Sequence, residues 1–209
     1  QRLYLPEIHP RSGELQEWMS PDVRGEKEHR HLSHLVGLFP GDRIAADTAP
    51  PALLAAARKA LEARGMRSYG WSMAWRAACW ARLKDADRAY RSVLNVLLPS
   101  QRDSNGTAIN FFDMYRLGRR AVFQIDANFG VPVAMAEMLL YSRPGLIELL
   151  PAAPKAWTAA GQARGLGARG GFVIDLQWCD HALTEVTVRS IGGTRTLLRW
   201  GSWQQEVAL

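Results

Sequence analysis

The sequence predicts a mainly α-helical region followed by a small all-β module of antiparallel strands. Apolar residues recur at helical spacing through the first two-thirds of the chain. Prolines and glycines then interrupt every helical pattern beyond Gly145. After that break, apolar residues alternate with polar ones at every second position.

The first helix is expected between Thr48-Ala49-Pro50-Pro51, where proline suits a first turn, and a stop at Gly65. Its inward stripe is Leu53, Ala57, Ala60, Leu61 and Arg64. The second carries Trp71, Ala74, Trp75, Ala78, Cys79 and Arg82 on one face, with Ser72 near its cap. A third starts near Asp85, turns Ala86, Ala89, Tyr90, Val93 and Leu97 inward, and ends at Pro99. A fourth follows Asn128, with Phe129, Val133, Ala136 and Leu140 on one face and a stop near Pro144-Gly145. In the β region, Phe172, Ile174, Leu176 and Trp178 form one alternating set, and Thr184, Val186 and Val188 another. Ile191-Gly192-Gly193-Thr194 reads as a two-residue hairpin leading into Thr196, Leu198 and Trp200. Gly201-Ser202 turns into a last strand running from Gln204 to Leu209.

A chain of 209 residues, 47% hydrophobic, can bury a sizeable core in one or two domains. No run approaches the roughly eighteen uninterrupted apolar residues of a membrane helix. The first residues, Gln1 to Glu7, hold neither an initiator Met nor an apolar leader core, which leaves the compartment open. The net charge of +6 comes from Arg scattered along helices rather than from a basic block, which points away from nucleic acid. Cys79 and Cys179 lie far apart without ligand spacing to any His, so two free thiols are expected, with no metal and no cofactor.

Two polar clusters interrupt the apolar texture. Gln124-Ile125-Asp126-Ala127-Asn128-Phe129-Gly130 puts an acid at the mouth of a helix, where the positive end of the dipole favours an ionised carboxylate. That suits a base or nucleophile, and equally an ordinary helix cap. His29-Arg30-His31-Leu32-Ser33-His34-Leu35 would place His31 and His34 on one helical face, and likewise Arg30 and His34 four apart. Two histidines three apart with no further ligand make a structural pair more often than a metal site, whereas an Arg-His pair suits sugar hydroxyls. Trp18, beside Glu14 and Glu17, and Trp71 offer indole planes for the apolar face of a sugar; Trp75, Trp80 and Trp200 are expected to pack.

The string Gly13-x-Leu15-Gln16-Glu17-Trp18, followed by His29 to Leu35 and Gly37-Leu38-Phe39-Pro40-Gly41, resembles glycoside hydrolase family 95. That family comprises inverting α-L-fucosidases and some α-L-galactosidases. The similarity continues through Gly70-Trp71-Ser72, Trp80-Ala81-Arg82-Leu83, Phe123 to Gly130, Glu148-Leu149-Leu150-Pro151-Ala152 and Gly165 to Phe172, essentially the whole chain in order. The resemblance implies that residues 1–145 are the last helices of an (α/α)6 catalytic barrel, and that 146–209 form a C-terminal β-sandwich-like domain. It implies an α-L-fucosylated oligosaccharide or glycan as substrate, with no nucleic acid and no membrane. Asp126 becomes the water-activating carboxylate and Arg30 with His31 sugar-binding groups. His34, Trp18, Trp71 and Asn128 would complete the substrate site. The general acid is expected in a missing N-terminal part of the same protein, since Glu7, Glu14 and Glu17 do not stand in the family's acid motif. Two alternatives stay open: a catalytically incomplete remnant, and an α-L-galactosidase.

Overall fold

The computed structural model describes residues 6–23, 25–100, 106–117 and 120–209; the first five residues, read above for a leader, lie outside the described residues. An irregular N-terminal segment, with a single 3-10 turn at Ser33–Leu35, leads into helices α1 (Pro51–Ala63), α2 (Gly70–Arg82) and α3 (Ala86–Leu97). Strands β1 (Gly106–Thr107), β2 (Asp113–Leu117) and β3 (Arg120–Phe123) form a small antiparallel sheet that delivers the chain to α4 (Ile125–Leu139). Then follow β4 (Leu140–Arg143), β5 (Leu146–Leu149), a short helix α5 (Lys155–Thr158), β6 (Ala160–Ala168), β7 (Phe172–Cys179), β8 (Ala182–Ser190), β9 (Arg195–Trp200) and β10 (Trp203–Ala208). The architecture is therefore helices followed by C-terminal β-sheets. No described helix is long and apolar enough to cross a membrane.

The helices form where their sequences favour them. Pro51 occupies the first turn of α1, and Gly65, just beyond its end, has a positive φ. The Asp85 carboxylate caps α3 by accepting the Arg88 N–H at 3.1 Å. Helix α2 is buried on nearly every side, from Gly70 to Arg82, so it forms the centre of the helical core. It begins after Tyr69, and Ser72 is a buried residue inside it rather than its cap. Arg58 and Arg88 lie over opposite parts of the buried Trp80 ring, at 5.5 and 4.7 Å, and both bond Asp85 Oδ2.

Several expectations are corrected here. No α-helix spans residues 29–35, so His31 and His34 do not share a helical face. Leu97 at the end of α3 is exposed, while Ser92 and Val96 are buried in its place. Helix α4 begins at Ile125, earlier than expected, and ends at Leu139, where the chain turns extended. Its buried face is Ala127, Val131, Ala134 and Met138, whereas Phe129 and Val133 are exposed. Both faces of α4 are apolar, and close packing chooses between them. Gly130 lies so near α2 that a Cβ there would stand 2.9 Å from the Ala74 methyl and 3.0 Å from the Trp71 ring. The face of small residues can make that approach and the Phe129 face cannot.

The β region is mixed rather than purely antiparallel. One sheet has the order β10-β9-β5-β4, in which β5 and β9 are parallel; the other is β6-β7-β8. The expected hairpin at Ile191–Thr194 does not form, because β8 and β9 belong to different sheets. The Ile191 and Gly193 amides instead donate to the Gly171 carbonyl, and the chain crosses to the other layer. Phe172, Ile174, Leu176 and Trp178 of β7 face Ile147, Leu149 and Leu198 of the opposite sheet in one core. The glycine-rich run, read only as a helix breaker, contains strand β6.

Arg82 joins these parts. Its Nε and Nη2 donate to the Glu137 carboxylate on α4 at 2.5 and 3.0 Å, and its Nη1 donates to the Gly41 carbonyl at 3.1 Å. Its guanidinium also stacks on Tyr141 of β4, at 4.5 Å. Removing one partner of a buried ion pair strands the other charge, at a cost of about 3–5 kcal/mol. Arg82→Ala is therefore expected to lower unfolding stability by about that amount in urea denaturation.

Candidate active site

Strands β2 and β3 and the start of α4 fold into one hydrogen-bonded unit around Asp126. The Gln124 N–H donates to the Asp113 carbonyl at 2.8 Å, and the Asp113 N–H donates to Asn128 Oδ1 at 2.9 Å. Asn128 Nδ2 donates to the Phe111 carbonyl at 2.8 Å, so both ends of its carboxamide hold the 111–113 loop against the helix. Asp126 lies in the first turn of α4, not at the cap, and is exposed to solvent. Its Oδ1 accepts the Ala127 N–H at 3.1 Å. The positive end of the α4 dipole lies at this turn.

Trp71 stands beside this unit at the start of α2. Its N–H donates to Gln124 Oε1 at 3.4 Å, its ring packs on Gly130, and its centroid lies 5.8 Å from that of Trp75. The structure thus brings Asp126, Asn128 and Trp71 together where α2 and α4 begin.

Sequence reasoning missed the fourth member of this cluster, Asp113. It is 1% exposed, and neither carboxyl oxygen has a hydrogen-bond partner among the described residues. Burial, and then the charge of Asp126, push its carboxyl up to about 7. A single acid opening a short strand has no local signature. The one available signal was Gly70, whose missing side chain leaves the space that the Asp113 carboxyl fills.

Trp18 and His34 meet at a different place, lining a cavity of about 200 Å³ with His9, Glu17 and Arg64. Glu17 accepts the Ser33 hydroxyl and Arg64 Nη2, each at 2.6 Å. Burial alone would raise the Glu17 carboxyl, but Ser33, Arg64 and His34 outweigh it and hold the carboxyl below its usual range. A carboxylate so held is a poor proton donor. His34 lies 3.8 Å from the same carboxylate, which favours its protonation. Burial outweighs that attraction, Arg64 adds repulsion, and the imidazole falls to about 4. Trp18 is half-exposed at the cavity edge.

Arg30 is exposed, and no hydrogen bond or ion pair holds it among the described residues. His31 is partly buried; its N–H donates to His29 Nδ1 at 3.2 Å, and the two rings lie 5.3 Å apart. Burial, then Arg30 and His29, lower its affinity for a proton. Cys79 is buried and Cys179 exposed, both as free thiols. Among the described residues, no group of three or more His, Cys, Asp or Glu could hold a metal ion.

Residues 1–139 match the glycosyl hydrolase family 95 catalytic domain, and residues 141–208 match the glycoside hydrolase family 95 C-terminal domain. The chain belongs to glycoside hydrolase family 95. It is 38% identical over 196 residues to "Alpha-L-fucosidase 2" of Arabidopsis thaliana, covering 90% of this chain and 22% of that protein. A "Probable alpha-fucosidase A" of Aspergillus oryzae is 33% identical over 195 residues, covering 83% of this chain and 26% of the relative. Its counterpart in Aspergillus niger is 36% identical over 198 residues, covering 86% and 24%. This family 95 chain therefore spans about a quarter of the length of the curated relatives it matches.

Two outcomes follow from the site geometry. Asn128→Ala removes both tethers of the 111–113 loop and is expected to cost about 1–3 kcal/mol of stability, with faster hydrogen exchange at the Asp113 amide. His34 is depressed in the fold to about 4, against about 6.5 when unfolded. Its contribution to stability is complete above the unfolded value and is lost as pH falls toward the folded one. Urea denaturation across that window should show a shallower loss on acidification in His34→Gln than in the unsubstituted chain.

Proposed function

We propose that this chain is part of an exo-acting, inverting glycoside hydrolase that releases α-linked L-fucose from oligosaccharides or glycans. The observation that carries the reading is Asp126: a solvent-exposed carboxylate in the first turn of α4, with the Trp71 indole close by. It stands at the positive end of the α4 dipole, open to water, as a water-activating group must be. The names of the three relatives support the substrate class. Arg30 and His31 supply donors to the sugar, Trp71 offers its indole plane at the start of α2, and Trp18 with His34 lines the separate cavity around Glu17. Asn128 serves the substrate site by fixing the loop beneath Asp126.

On this reading α1 to α4 are the last helices of an (α/α)6 barrel, with residues 1–145 in the catalytic domain and 146–209 in the C-terminal β-domain. Inversion needs a protonated acid facing the base across the scissile bond, with the carboxyls roughly 6.5–9.5 Å apart. Glu17 is held ionised by Arg64, and Asp113 is sealed in the core, so neither suits that role. The acid belongs to the N-terminal part of the same protein, in keeping with the greater length of the relatives. Exposed Ile109, Phe111, Phe123, Ile125 and Phe129 form the apolar surface suited to such a part. These same observations favour a second reading, in which the 209-residue chain alone is catalytically incomplete.

The test is hydrolysis of an aryl α-L-fucoside by this segment within a family-length chain, with the isolated segment and an aryl α-L-galactoside as comparisons. Asp126→Asn is expected to lower kcat by about 10²–10⁴-fold with little change in KM, and the isolated segment to show no turnover. Undiminished turnover in Asp126→Asn would overturn the assignment. Faster cleavage of the galactoside would change the substrate.

A further inference from the structure

Asp113 carries a carboxyl group that the proposed reaction leaves unused. It is 1% exposed and both oxygens lack a hydrogen-bond partner among the described residues, although its backbone is fixed through Gln124 and Asn128, the residues two before and two after Asp126. Its side chain lies against Gly70, the first residue of α2. A Cβ at Gly70 would stand 2.0 Å from Asp113 Oδ1 and 2.8 Å from the Ala127 methyl. The carboxyl therefore fills the gap between α2 and α4, beside the turn that carries Asp126.

Buried without donors, a carboxylate is far less stable than the corresponding acid. The start of α2 offers a dipole that favours an anion. Its amides do not deliver hydrogen bonds to Asp113, since the Trp71 N–H is directed to Gln124 Oε1 and the Met73 N–H to the Tyr69 carbonyl. The charge acting on Asp113 is that of Asp126 on α4, of the same sign. Residues 70–73 of α2 carry no charged side chain, and Arg120 on β3 is exposed. Tyr69 and Tyr115, whose rings meet at 5.0 Å, are also titratable and carry no charge as phenols. Burial and Asp126 thus act in the same direction on the proton of Asp113.

We propose that Asp113 is a positioning residue that keeps its proton well above the pH at which an ordinary aspartate loses it, so that it adds no charge beside Asp126 until that proton leaves. This deepens the reading of Asp126 as the water-activating group and takes its catalytic meaning from it. The neutral acid supports the α4 turn without competing for its positive end. Ionisation of Asp113 puts a further negative charge beside the same turn, so the two carboxyls sense each other's titration.

The test follows the side-chain carboxyl ¹³C shifts of the intact chain through a pH titration. The Asp113 signal, identified by its loss in Asp113→Asn, is expected to titrate at least about two pH units above the ordinary value of about 3.9. The Asp126 signal should show a second inflection at the same pH. Asp126→Asn should move the Asp113 midpoint toward acid, and Asp113→Asn should erase the second inflection at Asp126. A midpoint for Asp113 in the ordinary range, or one that Asp126→Asn does not move, overturns the proposal. An Asp113 that only fills space would alter stability in Asp113→Asn and leave the Asp126 titration unchanged. If Asp113→Asn fails to fold, Asp126→Asn still reads the coupling. No turnover is needed, so undiminished turnover of Asp126→Asn in a family-length chain would count against the proposed function alone and leave this titration standing.

Discussion

The rest of the structure depends on how one buried cation, Arg82, is satisfied. A guanidinium taken out of water is costly unless its charge and its donors all find partners. Arg82 finds a carboxylate on α4, a backbone carbonyl at Gly41 and the ring of Tyr141 on β4. These partners come from three separate parts of the chain, so the N-terminal loop, the helical core and the first strand of the β region must be in place together. The ion pair also sets the register of α4 on α2. With Glu137 tied to Arg82 at one end and Gly130 against Trp71 nearer the other, the position of Asp126 in the first turn is determined.

The second constraint is the closeness of the α2 and α4 N-termini. Small residues are what make that approach available: Gly70, Ala74, Ala127 and Gly130 all stand at the contact. The same closeness produces the electrostatic character of the site. It buries Asp113 completely while leaving Asp126 in water, so two carboxyls on neighbouring elements have opposite environments. Glu17 shows a third outcome for the same chemical group, held as an anion by Arg64 and Ser33. Environment rather than residue type separates these three acids.

Much of the fold was legible in the sequence because it rests on local periodicity. Helices α1 to α3 and strand β7 form where their apolar patterns place them, although α2 is buried nearly all round and Leu97 of α3 faces solvent. Helix α4 was found but faced wrongly, since an apolar pattern all round carries no directional signal. Strand β6 was missed because its glycines look like breakers. At Gly161 the absent side chain is needed, since a Cβ there would meet the Trp178 ring at 2.4 Å. The glycines at 192 and 193 had the composition of a hairpin, but the pairing of β9 with β5 lies outside any local window.

The sequence by itself determined the family, the succession of helices then strands, and Asp126 as the acid at a helix start. Each of these is written in contiguous residues. Only the tertiary structure decided that β5 and β9 run parallel, that Trp18 and His34 line a cavity around Glu17, and that Asp113 lies buried against Gly70 beside Asp126. Those features depend on which residues distant in the chain come within reach of each other. The protonation of a carboxyl is set by such neighbours and by exclusion from water, neither of which a local stretch of sequence records.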